Sequence, residues 1–210
     1  MTRVLPDKTG LTAAVDALRK DEVIAYPTET VYGLGVNPFS EKALEALFSV
    51  KEREWGKPVL LIVDCIAQIE AYLAGVSDTA QRCMERFWPG PLSLVLPAVT
   101  GLHECLVDER GCICVRCPGH PIARELCRAW GGPLTSTSAN LSGKPPARCT
   151  EDALLPGVTL ALDAGELNTL PPSTVFDPET GTILREGSIT LEMLGDVVAL
   201  SSLTRRSTAS

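Results

Sequence analysis

The chain predicts an α/β fold, a single domain with a sheet of mixed strand direction. Apolar strand-like segments alternate with amphipathic helical ones, a hairpin pattern lies towards the C-terminus, and neither a linker nor a repeat divides the 210 residues. Hydrophobic residues make up 45% of the chain, enough for a full core, and charged residues 21%, so the composition is that of a folded domain.

Leu11, Ala14, Val15 and Leu18 recur at helical spacing and predict an opening helix that ends near Lys20. Strand Val23–Tyr26 follows, then a loop rich in hydroxyls and glycine. Ser40 is placed to cap a second helix with Ala43, Leu44, Leu47 and Val50 on one face, delivering Lys51 and Arg53 at or just beyond its C-terminal end. The run Pro58–Val63 reads as a strand covered on both faces. Helical stretches are expected at Ala67–Leu73 and Asp78–Phe87. Trp88-Pro89-Gly90-Pro91 breaks the second and leads into strand Leu92–Leu96.

Residues 98–110 read as a loop and Cys112–Arg116 as a strand. Pro121 opens a helix with Ile122, Leu126 and Trp130, which Gly131-Gly132 stops. Strand Pro133–Thr137 runs into the turn-rich segment Ser138–Pro146. Val158–Leu162 is another strand, and Ser173–Phe176 and Ile183–Arg185 flank the turn residues Asp177–Gly181 as a hairpin. A short helix near Leu191–Leu194 closes the domain, and residues 201–210 read as a disordered polar tail.

The net charge of −7 argues against broad nonspecific binding to nucleic acid, though a local basic site at Lys51, Arg53, Arg116 and Arg185 is compatible with it. Met1–Lys8 lacks the apolar run of a signal peptide, and the longest aliphatic stretch, Val59–Val63, is too short to span a bilayer, so a soluble cytoplasmic protein is expected. The eight cysteines include Cys112, Cys114 and Cys117, but strand alternation puts the first two on one face with Arg116 and the third on the other. Three thiolates split in this way cannot converge on a tetrahedral metal, so reduced thiols and no structural metal are expected.

The chemistry concentrates elsewhere. Tyr26-Pro27-Thr28-Glu29-Thr30-Val31-Tyr32-Gly33-Leu34-Gly35 joins a strand to hydroxyls and glycines, and Lys51-Glu52-Arg53 adds two cations. Hydroxyls and open backbone amides beside fixed positive charge suit a polyphosphate. Yet no Walker A pattern occurs, and Gly33-Leu34-Gly35 lacks the third glycine of a dinucleotide fingerprint. With only His103 and His120, no Ser–His–Asp arrangement is indicated, and His120 between Gly119 and Pro121 reads as a loop-ordering residue. Thr28 and Thr30 follow one strand, Arg116 ends another, Ser136 and Ser138 alternate at the end of a third, and Ser173 and Arg185 sit on the hairpin. Each has a bland reading as a turn residue, a helix-end cation or a solvated charge. Their recurrence at strand ends beside Gly/Pro loops points to a ligand site.

Six segments stand in the order found in one family: the Tyr26–Gly35 motif, Lys51-x-Arg53, Trp88–Leu92, Val115-Arg116-x-Pro118-x-His120-Pro121, Ser136-x-Ser138-Ala139-Asn140-Leu141-Ser142-Gly143 and Ser173-Thr174-Val175. The chain thereby resembles the YrdC/Sua5/TsaC family from about residue 10 to residue 188, within a domain spanning residues 1–200. The resemblance implies a twisted α/β sheet flanked by helices around a large, concave, cationic cavity. It implies an L-threonylcarbamoyl-AMP synthase joining L-threonine, bicarbonate or CO2 and ATP, releasing pyrophosphate, with Mg²⁺ accompanying ATP. The product would serve the t6A modification next to the anticodon of tRNAs reading ANN codons, which brings in tRNA or proteins of that pathway as partners. Carried over motif by motif, Lys51 and Arg53 are the main phosphate ligands and the residues that carry catalysis. Lys57, Cys112, Ser136, Ser138 and Arg185 would complete the ATP site, Asn140 would contact the nucleotide or shape the loop there, and Thr28, Thr30, Arg116 and Ser173 would form the threonine site. Cys112 stands where relatives often carry a hydroxyl residue, and Lys57 where some carry Asn. Two other readings compete: an RNA-binding module of the same fold without synthase activity, and the carbamoyl-transfer domain of hydrogenase maturation proteins, whose further domains 210 residues leave no room for.

Overall fold

The computed structural model describes residues 2–52, 58–168, 170–199 and 203–205. Within them the strands β1 (Thr2–Val4), β2 (Val23–Pro27), β3 (Tyr32–Gly35), β4 (Leu60–Ile62), β5 (Leu92–Pro97), β6 (Cys112–Arg116), β7 (Leu134–Ser138), β8 (Val158–Leu162), β9 (Thr174–Asp177), β10 (Thr182–Arg185) and β11 (Thr204–Arg205) form one sheet in the order β1-β8-β2-β3-β7-β4-β6-β5-β9-β10-β11. The direction is mixed as expected: β2–β8, β4–β6 and β5–β9 are parallel, whereas β2–β3, β3–β7, β4–β7, β5–β6 and β9–β10 are antiparallel.

Among the described residues six helices flank it: α1 (Lys8–Arg19), α2 (Glu41–Lys51), α3 (Asp78–Phe87), α4 (Pro121–Trp130), α5 (Thr150–Ala153) and α6 (Leu191–Gly195). Their starts follow from local chemistry. Asp7, Ser40, Ser77 and Thr190 each accept a backbone N–H in the first turn, and His120 does the same for Ile122 N through Nδ1. His120 is thus the loop-ordering residue that its setting between Gly119 and Pro121 indicates.

Strand alternation divides the interior. On one sheet face, α1 and α4 cover Ile24, Tyr26, Ile62, Leu134, Leu160 and Leu162. On the other, α2, α3, α5 and α6 bury their apolar residues over Val23, Ala25, Leu61, Val63, Leu92, Leu94, Ile113, Val115 and Phe176. The first face is only partly covered. Continuing along β2, β4 and β7 by steps of two, the apolar Tyr26, Ile62 and Leu134 give way to Thr28, Leu60 and Ser136, which line a cavity. The site is the stretch of sheet beyond the reach of α1 and α4.

Several elements differ from the sequence expectation. The segment 67–73 forms two short 3₁₀ turns, Ile66–Gln68 and Glu70–Tyr72, rather than an α-helix. Residues 32–35, expected as loop, form β3, because the glycines let that strand lie against the Tyr26 ring. A Cβ on Gly35 would sit 2.6 Å from Tyr26 Cε1 and 3.1 Å from Thr135 O. The ring is immobile there, since Tyr26 is fully buried and its hydroxyl donates to Thr135 O at 3.0 Å. Gly35→Ala should therefore destabilise the fold by about 1–3 kcal/mol, read as a lower urea midpoint at unchanged slope. β1 and α5 are additions, too short to show a periodic signal. Within the tail expected to be disordered, β11 pairs in parallel with β10.

Candidate active site

The uncovered sheet face encloses a cavity of about 630 Å³. Eight of the residues singled out from the sequence line it: Thr28, Thr30, Cys112, Arg116, Ser136, Ser138, Ser173 and Arg185. Lys51 and Asn140 do not line it but bond to Ser138, which does. Arg53 and Lys57 lie outside the described residues.

Thr28 fixes the turn after β2. Its hydroxyl donates to Val31 O at 2.6 Å and accepts from Val31 N at 3.2 Å and Thr30 N at 3.3 Å. With its Oγ1 committed in this way, Thr28 holds Thr30 Oγ1 3.1 Å away in the cavity wall. The turn also directs Glu29 towards Arg116, whose Nη2 lies 2.7 Å from Glu29 Oε2. This contact is an ion pair outside hydrogen-bond geometry, so Nε and Nη2 of Arg116 and both Glu29 oxygens are buried without hydrogen-bond partners. Arg116 is only 4% exposed. Burial pushes the neighbouring His120 pKa down, against the Glu29 charge.

Opposite, Arg185 at the end of β10 donates through Nε and Nη2 to Ser173 O at 3.1 and 2.8 Å, and through Nη2 to Ser173 Oγ at 2.9 Å. Ser173 Oγ in turn lies 3.1 Å from Ser93 Oγ on β5. Desolvation holds the Arg185 pKa below the usual guanidinium range, Arg116 adding to that and Cys114 opposing it. Cys112 and Cys114 line the cavity on the face of Arg116, while Cys117 turns away and donates to Asp64 O at 3.1 Å, as alternation predicts. Burial pushes the Cys114 thiol up to about 12 and raises Cys112 as well, so both stay protonated. All eight cysteines are free thiols.

Lys51, the last residue of α2, is 4% exposed. Its ammonium donates to Ser138 O at 2.5 Å, Asn140 O at 2.9 Å and Asn140 Oδ1 at 3.2 Å. Asn140 continues the clamp, Nδ2 donating to Leu141 O at 2.9 Å and Lys144 O at 2.6 Å while Oδ1 accepts from Ser138 Oγ. These two residues shape the loop after β7 and thereby set Ser136 and Ser138. The lining residues that the sequence reading passed over are chiefly Ser93, Val95, Val175 and Asp108. Val175 follows from extending the period-two register from Ser173 along β9, and Ser93 and Val95 are the β5 positions alternating with the core residues Leu92, Leu94 and Leu96. Asp108 has no such signal, being placed by its bonds from Cys112 N and Arg110 N, both 2.9 Å.

Among the described lining residues the charges are Arg116, Arg185 and Asp108. Arg110 donates through Nε and Nη2 to Asp108 Oδ2 at 3.1 and 2.9 Å, so both oxygens of that carboxylate are engaged. No cluster of three or more His, Cys, Asp or Glu side chains that could hold a metal occurs among the described residues.

An open α/β cavity walled by hydroxyls, two arginines and a lysine-clamped loop offers the donors that a small anionic ligand requires. The Sua5/YciO/YrdC family model, described as "Telomere recombination", matches residues 16–187, and the chain belongs to this family. It is 39% identical over 180 residues to the threonylcarbamoyl-AMP synthase of Serratia proteamaculans, covering 84% of this chain and 95% of that one. It is 42% identical over 181 residues to the enzyme of that name from Stenotrophomonas maltophilia, covering 83% and 97%. Among solved structures, P. abyssi Sua5 in complex with L-threonine superposes with a TM-score of 0.89 at 30% identity, covering 98% of this chain, which spans 61% of that longer protein. E. coli YciO gives 0.79 at 28% identity, covering 92% and 98%. No helix among the described residues is long and apolar enough to cross a membrane.

Proposed function

We propose that this chain is an L-threonylcarbamoyladenylate synthase, a nucleotidyltransferase that condenses L-threonine, bicarbonate or CO2 and ATP into threonylcarbamoyl-AMP and pyrophosphate for the t6A modification of tRNA. The observation that carries it is the convergence of Thr30, Arg116, Ser136, Ser138, Ser173 and Arg185 on one cavity, in a chain about 40% identical to synthases over most of its length. Thr28, Thr30, Arg116 and Ser173 form the threonine end, with the Arg116 fork taking the α-carboxylate. Ser136, Ser138 and Arg185 face the nucleotide, Lys51 and Arg53 are the main phosphate ligands with Lys57 beside them, and Lys51 together with Asn140 also holds the loop that presents the two serines. Cys112, a neutral thiol, packs against the nucleoside rather than an anion.

In the reaction, the threonine amine is carboxylated, and an oxygen of the resulting carbamate attacks the α-phosphorus in line. The bond from that phosphorus to the pyrophosphate oxygen breaks and pyrophosphate leaves. Such chemistry needs positioning and charge neutralisation more than a protein nucleophile, in keeping with the absence of a triad. The carboxylate of Asp108 is spent on Arg110 and backbone N–H groups, so Mg²⁺ belongs to this reading as part of the substrate, arriving with the triphosphate. The product requires a tRNA-modifying acceptor system, and this reading takes the protein to be cytoplasmic. An RNA-binding role without catalysis is not favoured by the net charge of −7.

The test is incubation of the purified protein with ATP, L-threonine and bicarbonate. Pyrophosphate and a threonylcarbamoyl adenylate should form together and only with all three present. ATP turnover independent of threonine would contradict the assignment.

A further inference from the structure

The synthase reading uses Arg116 but not the residue beside it. Glu29 does not line the cavity, yet both of its oxygens are buried without a hydrogen bond, 2.7 Å at the nearest from an Arg116 guanidinium whose Nε and Nη2 are equally uncommitted. Two donors and two acceptors of opposite charge thus meet in the interior without consuming one another. Unsatisfied buried groups are rare, and where they persist they point to a task.

The placement is fixed from both sides. The Thr28 hydroxyl bonds to Val31 N and O pin the turn that carries Glu29. Gly119 backs the carboxylate, since a Cβ there would lie 3.6 Å from Glu29 Cδ and Oε1. A guanidinium only 4% exposed is strongly disfavoured without a counter-charge. Glu29 supplies that charge while leaving the Arg116 N–H groups for a ligand.

The pair has a second consequence. An anion approaching Arg116 also meets the field of Glu29, so a plain carboxylate gains on one and loses on the other. A ligand carrying its own ammonium next to its carboxylate gains on both. We infer that Glu29 is the positioning residue for Arg116, and that the pair makes the amino-acid end of the cavity select zwitterions over simple carboxylates. The inference rests on the reading of Arg116 as the α-carboxylate ligand.

The experiment compares the purified wild type with Glu29→Gln, which keeps the shape and removes the charge. Threonine KM should rise about tenfold, with ATP KM and kcat within about threefold. Inhibition by 2,3-dihydroxybutanoate, threonine with its amine replaced by hydroxyl, should hold or strengthen. The preference for threonine over this analogue should then fall by about tenfold or more. Should Glu29→Gln fail to fold, Glu29→Asp carries the same test, with an intermediate threonine KM expected. Equal rises for threonine and the analogue, or for threonine and ATP, would overturn the inference, as would an unchanged threonine KM. Arg116→Lys run in parallel separates the failures. If it raises the threonine KM while Glu29→Gln does not, only the role of Glu29 falls. If neither does, the reading of Arg116 falls as well.

Discussion

Lys51→Met is expected to lower kcat/KM for ATP by at least about a hundredfold. Methionine keeps most of the volume of a side chain that is 4% exposed, so the change removes charge and donors rather than packing. What is lost is the ammonium that gathers Ser138 O, Asn140 O and Asn140 Oδ1. Hydrogen bonds to a charged group are worth about 1.5–3 kcal/mol each, and every 1.4 kcal/mol is tenfold in rate or affinity. Two of them therefore reach the expected loss, and the carbonyls left without a donor add to it. Near-wild-type turnover would mean that the loop after β7 keeps its shape without the clamp. Steady-state kinetics with ATP varied, together with a melting curve, checks this. A large kinetic loss together with a melting temperature lowered by about 6–12 °C, the protein still folded at the assay temperature, is the expected pattern.

Arg116→Lys is expected to raise threonine KM by at least about tenfold while leaving the ATP dependence nearly unchanged. Lysine preserves the charge balance with Glu29, so the buried carboxylate is not stranded, but a point charge cannot offer two parallel N–H groups to a carboxylate. Arg116→Ala would be a poorer test. It leaves Glu29 buried without its counter-ion, at a cost of about 3–5 kcal/mol, and confuses instability with lost binding. Separate titrations of threonine and ATP read the difference directly.

Much of this site was legible because its side chains obey strand alternation. Ser136 and Ser138, or Cys112, Cys114 and Arg116, share a face by spacing alone, and they do line one cavity. The helices that start at Ser40 and Pro121 were legible from their local capping and proline signals. Other features were not. The 3₁₀ turns at 66–72 share helical spacing with an α-helix over so short a stretch, and the period does not separate them. β3 was hidden because glycine reads as loop, although here it serves the close approach to Tyr26. The loop-clamping geometry of Lys51 was also hidden, because a cation at a helix end looks the same in sequence whether it faces solvent, phosphate or a carbonyl cage. Long-range partnership, between α2 and the loop after β7 or between Glu29 and Arg116, is a property of the sheet order and not of any local pattern.

The central claim is that this cavity holds adenylate at one end and a small amino acid at the other. A crystal structure with a non-hydrolysable ATP analogue and L-threonine tests it most directly. The phosphates should lie along the wall formed by the Ser136–Ser138 segment and Arg185, with the threonine carboxylate on the Arg116 fork beside Thr30 and Ser173. Nucleotide bound outside this cavity, or an amino acid seated away from Arg116, would contradict the account.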